Sequence, residues 1–258
     1  MNATRLFWRG DWASTYRLLH LVLVDGRPVL PLYVIDRTRP TLETELQAMD
    51  RLREATLRRT PGLRPLFPPP VSIALEDVPD DPEISRQFAQ VLSGLVPARF
   101  EPLARFAKAL GGSVELPLLR DDRSLLPALR PYLRERESDG LRRYVVEDFP
   151  GLAENHALSH LLFPLAGTER AEAAEAACRE GFADLLRETC FCSAPRGDVP
   201  CGGCAECEAV IRSCQDGGRP LPDGMKNWTR QLLLPLGCTV PESRGFPAKA
   251  EADAVMGE

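Results

Sequence analysis

The sequence predicts an α/β fold with a parallel sheet, followed by a cysteine-rich segment. Strand-like apolar runs alternate with helical patterns: strands at residues 4–8 and 28–35 each precede a helix, at 14–24 and 41–59. Such alternation is typical of parallel sheets, because a crossover helix returns the chain to the start of the next strand. With 258 residues and 44% hydrophobic content, the chain can bury one large core, or a core with a small satellite.

The middle of the chain continues this pattern less regularly. Five prolines between residues 61 and 70 predict a connection over the surface, because proline interrupts both helices and sheets. We then expect a strand at 71–74, an acidic turn at 76–83, a helix to about 95 and a second helix at 98–110. A strand at 114–119 and a Leu/Arg-rich amphipathic segment at 124–136 should follow. The run at 144–146 is too short to assign, and an apolar run follows at 160–165.

A long alanine- and glutamate-rich helix is expected from Thr168 to Arg187. Thr168 is its predicted N-cap, and Glu169 lies in the first turn, where a carboxylate stabilises the helix dipole. Because this helix leads directly into the cysteines, we divide the chain into three parts. These are an α/β nucleotide-binding-like domain at 1–187, a metal-binding segment at 188–240 with helices near 208–214 and 225–236, and a disordered tail at 241–258.

Five of the eight cysteines lie within residues 189–207, which predicts a metal site. Two overlapping C-x-x-C pairs, a spacing that closes a tight turn around an ion, are formed by Cys201, Cys204 and Cys207. Cys192 can supply a fourth thiolate from the far side of the loop, with Cys190 as the alternative. Four sulfurs match tetrahedral zinc, and a shell without a position for water predicts a structural ion.

Three alternatives to a zinc site are a disulfide framework, an iron–sulfur cluster and a chance accumulation of cysteines. A disulfide framework suits a short secreted chain, whereas eight cysteines in 258 residues are few. An iron–sulfur cluster uses the same ligand type and is the strongest rival. The spacing and the ligand type together favour zinc.

Charge and hydropathy restrict the partners. The net charge of −5 provides no positive field for nucleic acid, so we expect a small-molecule substrate, a nucleotide or a protein partner. The apolar run at 18–24 is too short to span a bilayer. We therefore predict a soluble, cytoplasmic protein with reduced thiols and no membrane partner, for which a homodimer is one assembly compatible with the composition.

The loop between the first strand and the first helix is the candidate nucleotide site. Backbone N–H groups at a helix N-terminus that follows a strand can hold a phosphate, and the candidate contacts are Arg9, Gly10, Ser14 and Thr15. One glycine is few for a phosphate loop, and Asp11 adds negative charge where an anion would bind. The alternative is an ordinary helix start that is capped by Asp11 or Ser14.

Two further groups of polar residues are expected to have structural roles. His156 and His160 are four residues apart, a spacing that places both on one face of a helix, and we expect packing or surface roles rather than a metal site. Asp121 and Asp122 follow a predicted strand, where active-site carboxylates of parallel sheets often lie. We expect them to form a solvated turn.

Four stretches carry a resemblance to a known family. Residues 6–19 lie where that family has a strand, an S-G-G-L-D-S-T loop and a leucine-rich helix, residues 31–34 resemble its second strand, and residues 96–99 resemble the start of its V-P-G-R-N segment. The most specific stretch begins at 164–172, which is similar to P-L-x-x-x-x-K-A-E, and continues into a four-cysteine zinc loop. In these stretches the chain resembles the 7-cyano-7-deazaguanine synthases, adenylating enzymes with an ATP-pyrophosphatase loop.

The resemblance implies a fold, cofactors and a reaction. The fold is a doubly wound, Rossmann-like sheet of the adenine nucleotide alpha hydrolase-like type, with a C-terminal four-cysteine zinc loop. By the family alignment, Cys192 is the first zinc ligand and is followed by Cys201, Cys204 and Cys207. Enzymes of this family, which act in queuosine biosynthesis, use ATP to activate the carboxylate of 7-carboxy-7-deazaguanine, capture ammonia as an amide, and dehydrate the amide to a nitrile.

The chain departs from the family at the nucleotide loop. Arg9 stands in place of the first serine, Asp11 in place of the second glycine, and Ala13 in place of the aspartate. Because each step of the reaction requires a bound polyphosphate, these changes predict weak or no ATP turnover in the usual mode. We expect a divergent synthase-like protein, either an ATP-dependent C–N ligase with altered activity or a non-catalytic relative that binds a nucleotide-like ligand or a partner protein.

Overall fold

A five-stranded parallel sheet forms the centre of the molecule. The computed structural model describes residues 3–152, 156–192, 194, 195, 201, 203, 204 and 207. In the order β3-β2-β1-β4-β7, every neighbouring pair of strands is parallel, and the strands are β1 (Thr4–Phe7), β2 (Val29–Ile35), β3 (Val71–Ala74), β4 (Val114–Glu115) and β7 (Leu161–Leu162). The predicted α/β class with a parallel sheet is confirmed.

Six α-helices are found in the described part of the chain. They are α1 (Trp12–Leu19), α2 (Leu42–Arg59), α3 (Pro82–Gln90), α4 (Glu101–Ala109), α5 (Leu126–Leu129) and α6 (Arg170–Arg179). Helix α1 continues as a π-helical turn at His20–Val24, so the predicted helix at 14–24 begins two residues earlier than expected. None of the described helices is long and apolar enough to cross a membrane.

Both faces of the sheet are covered by apolar side chains. Along β1 and the residue after it, Leu6 and Trp8 belong to a hydrophobic cluster that also contains residues of α1, α2 and α6. Phe7 belongs to a second cluster, which includes residues of α3 and α4. Successive residues of a strand point to opposite faces, so this alternation shows that helices pack on both sides of the sheet.

The segment at 124–136, which was predicted only as amphipathic, contains more than one element. Prolines at 127 and 131 limit the helix to the single turn of α5, and the chain then forms an antiparallel hairpin of β5 (Leu133–Ser138) and β6 (Leu141–Val146). Its turn contains Asp139 and Gly140, both with positive φ. An Asp-Gly pair is a strong signal for a two-residue hairpin turn, but no hairpin was predicted here. The strand predicted at 114–119 is likewise shorter, ending at Glu115.

The helix predicted from Thr168 to Arg187 is also shorter than expected. Its N-cap is Glu169 rather than Thr168, in a capping box with Glu172, whose side chain accepts the Glu169 backbone N–H at 2.7 Å. The helix ends at Arg179 because Gly181, with a φ of +77°, turns the chain. A separate 3₁₀ turn at Leu185–Glu188 then leads to the cysteines.

A buried ion triad ties the hairpin to the sheet. Glu115 of β4 is 1% exposed, and its two carboxylate oxygens accept hydrogen bonds from Nε and Nη2 of Arg17 at 2.7 and 2.9 Å. Arg143 of β6 donates from Nε to the same carboxylate at 2.7 Å. The triad joins α1, β4 and β6, elements that are far apart in the sequence.

The helices predicted near 208–214 and 225–236 and the tail predicted at 241–258 lie outside the described residues. The proposed division at residues 187 and 240 remains a prediction.

Candidate metal centre and the adjoining loop

Four cysteines form the candidate metal centre. The thiol sulfurs of Cys192, Cys201, Cys204 and Cys207 all lie within 4.8 Å of one another. Sγ of Cys201 lies 3.9 Å from Sγ of Cys207. Sulfurs placed tetrahedrally about 2.3 Å from a zinc ion are about 3.8 Å apart, so the cluster is close to the size that a single ion requires. The four residues could therefore hold a metal ion.

Backbone N–H groups support the sulfurs. The N–H of Cys201 donates to Sγ of Cys192 at 3.1 Å, and the N–H of Cys207 donates to Sγ of Cys204 at 3.4 Å. A backbone hydrogen bond from Gly203 is the main reason why the pKa of Cys201 falls to about 7. Donors aimed at sulfur favour the thiolate, which is the form that binds metal.

Cys190 is not part of the cluster. Its Sγ donates to the carbonyl oxygen of Arg9 at 3.5 Å, and its backbone N–H donates to the carbonyl oxygen of Gly10 at 2.9 Å. Cys190 also pairs with Asp11 in an isolated parallel bridge. The sequence spacing left Cys190 and Cys192 as alternatives, and the structure brings Cys192 to the other three cysteines.

Gly10 has a structural reason to be glycine. Its φ is +70°, and a Cβ atom at this position would lie 3.1 Å from Cβ of Ala48 and 3.2 Å from both the carbonyl oxygen of Glu45 and Cγ of Met49. These distances are shorter than ordinary contacts between a Cβ and its neighbours. The glycine therefore lets the loop pack directly against α2.

Asp11 is the N-cap of α1, and its carboxylate accepts hydrogen bonds from the donors of the loop. Its Oδ1 accepts the backbone N–H of Ser14 at 3.0 Å, and its Oδ2 accepts the Ser14 hydroxyl at 3.0 Å and Nε of Arg9 at 3.3 Å. The Thr15 hydroxyl accepts the indole N–H of Trp8 at 3.0 Å and is fully buried. The Asp11 carboxylate thus already accepts the hydrogen bonds that the loop would otherwise donate to an external anion.

The remaining predicted polar residues have structural roles. His156 lies outside any helix, donates from Nε2 to the carbonyl oxygen of Val146 at 3.1 Å, and accepts the N–H of Leu158 at Nδ1. Burial lowers the pKa of His156. The two histidines therefore do not share a helix face.

Asp122 accepts two backbone N–H groups, from Ser124 and Leu125, and so forms the turn before α5.

A buried carboxylate lies beside the loop and was not among the predicted site residues. Glu45 of α2 is 4% exposed and accepts hydrogen bonds from the hydroxyls of Tyr33 and Thr41 at 2.9 and 2.8 Å, and from the guanidinium of Arg39. Burial, followed by the negative charge of Glu45, raises the pKa of Tyr33. Because these donors are directed at Glu45, we interpret the network as support for the start of α2.

A contact between two helix starts lies at the same edge of the sheet. Trp12, the first residue of α1, is 2% exposed and stacks on Tyr16 with 5.6 Å between the ring centroids. The guanidinium of Arg170, the first residue of α6, lies 4.8 Å from the centre of the Trp12 ring. The contact fixes α6 against the loop.

Comparison of the chain with protein-family models, with curated proteins and with solved structures finds no match.

Proposed function

We propose that this protein is a zinc-containing relative of the 7-cyano-7-deazaguanine synthases that binds a nucleotide-like ligand and does not turn over ATP in the manner of that family. The four-cysteine cluster carries the proposal, because it combines four sulfurs close enough to share one ion with the position in the chain that the family resemblance implies. With four protein sulfurs in the shell, the ion has a structural role and supplies no activated water.

The sulfur positions support zinc over an iron–sulfur cluster. In such clusters the thiolates bind different iron atoms, so their sulfurs lie further apart than they do around one ion. All four sulfurs here lie within 4.8 Å of one another, a spacing that suits one ion.

The strand order supports the finer fold assignment, a doubly wound sheet of the adenine nucleotide alpha hydrolase-like type. β1 lies between β2 and β4, so the chain builds the sheet first toward one side and then toward the other. Ligands of such folds bind outside the carboxyl ends of the strands where the order reverses, which here is between β1 and β4. The loop that contains Gly10 and Asp11 follows β1 at this point.

Occupation of the loop by Asp11 supports the loss of ATP turnover. A triphosphate would have to displace a carboxylate that already accepts the Ser14 N–H, the Ser14 hydroxyl and Arg9. It would also approach that carboxylate's negative charge, and Ala13 offers no side-chain oxygen for the cation that accompanies ATP. The loop would thus bind a triphosphate weakly at the point where the reaction of the family requires the phosphates to be stabilised.

Metal analysis of matched cysteine variants tests the metal centre. The wild-type protein is expected to contain about one zinc per chain, and Cys192→Ala to lose most of it, since three thiolates and a water bind zinc far more weakly. Cys190→Ala is the matched control, because it removes a thiol two residues away that is outside the cluster. Iron in place of zinc, or equal loss of metal in both variants, would contradict the assignment.

Calorimetry and a pyrophosphate-release assay test the ligand proposal. ATP, AMP and 7-carboxy-7-deazaguanine are offered separately, and then together with magnesium and ammonia. We expect heat of binding for a nucleotide or for the deazaguanine, without release of pyrophosphate or AMP. Turnover of ATP would establish the enzyme hypothesis instead, and silence toward all three ligands would leave the zinc protein without the proposed ligand class.

A further inference from the structure

The chain that enters the metal centre first crosses the β1–α1 loop. Cys190, two residues before Cys192, forms the parallel bridge with Asp11 and donates its N–H to the carbonyl oxygen of Gly10 at 2.9 Å. Its Sγ donates to the carbonyl oxygen of Arg9 at 3.5 Å. Cys190 therefore lies over the backbone of the loop, and we call residues 189 and 190 the cover segment.

On its upstream side the cover segment is held by packing and by ion pairs. Leu185 and Leu186 of the 3₁₀ turn are buried in the cluster that contains α1 and α2, and Thr189 is 3% exposed. Two ion pairs join this region to α2: Asp184 with Arg59 at 2.8 Å, and Glu188 with Arg51 at 3.7 Å. These contacts do not depend on a metal.

On its downstream side the four-cysteine cluster is the nearest anchor. Cys192 is buried and lies in the cluster. Two residues span at most about 7 Å, so the position of Cys192 leaves the backbone of Cys190 little freedom. Without an ion the metal–sulfur bonds that would hold Cys192 are absent, so the cover segment would be held less firmly on its downstream side.

We propose that the cover segment is a metal-dependent closure of the β1–α1 loop, so that occupancy of the four-cysteine cluster controls access to the backbone acceptors of that loop. This inference rests on the proposed metal centre. The two sites are linked through one segment, and such linkage is reciprocal. Metal binding stabilises the closed loop, and any ligand that displaces Cys190 from Gly10 weakens metal binding by the same factor.

Hydrogen exchange of the zinc-loaded and zinc-free protein tests the closure. After removal of zinc by a chelator, we expect exchange at residues 189–192 and 9–12 to become about fivefold faster, the factor that corresponds to one lost hydrogen bond of ordinary strength. Exchange in β1 and β2 is expected to stay unchanged, because these strands pair within the core. Faster exchange only from Cys192 onward would overturn the proposal.

A pair of variants at one position separates closure from general unfolding. Cys190→Pro removes the N–H that donates to Gly10 and keeps all four cluster cysteines, so the zinc-loaded variant should show fast exchange at 9–12 and bind zinc about fivefold more weakly. Cys190→Ala keeps the N–H and loses only the long contact of Sγ with the Arg9 carbonyl, so both measurements should change much less than in Cys190→Pro.

The two Cys190 variants still test the closure if the zinc-free protein unfolds as a whole. Unchanged zinc affinity and unchanged exchange in Cys190→Pro would overturn the closure while leaving the metal centre intact. Absence of zinc from the wild-type protein would instead overturn the proposed metal centre, and the closure with it. The two failures are therefore distinguishable.

Discussion

Replacing Glu115 with glutamine removes the negative charge that lies between two buried guanidinium groups. The carboxylate is 1% exposed, and Arg17 and Arg143 are 7% and 8% exposed. Three hydrogen bonds of 2.7 to 2.9 Å join it to the two arginines. Glutamine keeps the shape of the side chain, so the substitution changes charge with little change in volume.

The expected loss of stability follows from the two cations that remain. Removing one partner of a buried ion pair typically costs about 3–5 kcal/mol, because the remaining charge is buried without compensation. Here Arg17 and Arg143 would face each other without an intervening anion. A cost in this range is a large fraction of the roughly 5–15 kcal/mol that stabilises a typical domain.

Guanidinium unfolding, followed by the fluorescence of the buried Trp8 and Trp12, measures the effect. With a denaturant slope of about 4 kcal/mol/M, the midpoint should fall by roughly 1 M. Glu135→Gln is the control, since Glu135 pairs at 3.1 Å with Arg142 on the exposed side of the hairpin and should cost less than about 0.5 kcal/mol. A loss below about 1 kcal/mol for Glu115→Gln, or equal losses in both variants, would refute the reasoning.

Three further predictions concern the loop and a buried histidine. Gly10→Ala should destabilise the protein by about 1–3 kcal/mol in thermal unfolding, through both its positive φ and its close contacts, whereas Gly26→Ala, with positive φ and open space, should cost only about 1 kcal/mol. Asp11→Ala should cost about 1 kcal/mol through loss of the N-cap and Asp11→Ser much less, and equal melting temperatures would exclude the cap. Because burial lowers the pKa of His156 in the folded state, the unfolded chain takes up the proton first, so stability should hold above about pH 7 and fall below about pH 6.5. The difference between the melting temperatures at pH 7.5 and pH 5.5 should be smaller in His156→Gln than in the wild type, and an equal difference would contradict the prediction. Burial also lowers the pKa of His160, so His160→Gln measures the contribution of that second histidine.

The alternation of strands and helices in the first half of the chain could be predicted because the signal is local. The runs at 4–8 and 28–35 and the pattern at 41–59 each contain their own periodicity, and the structure has β1, β2 and α2 there. The hairpin was missed although Asp139-Gly140 is also a local signal. The predicted amphipathic segment ended at residue 136, before this pair, and only a run at 144–146 was considered as a strand.

Helix limits depended on weaker signals. Residue type favours Thr168 as the N-cap, whereas the capping box with Glu172 places the cap at Glu169. The alanine-rich composition suggested a helix up to Arg187, whereas Gly181 ends it early.

The sequence by itself determined which residue types are available for a metal, because the C-x-x-C pairs at 201–207 are neighbours in the chain. Only the tertiary structure decided what the adjoining residues do. It brought Cys192 to the cluster and Cys190 to Gly10, a residue 180 positions earlier, and it placed Asp11 in the loop as an internal anion. The physical reason is that local spacing controls turns and periodicity, whereas hydrogen-bond partners from distant segments are selected by how the sheet and its helices pack.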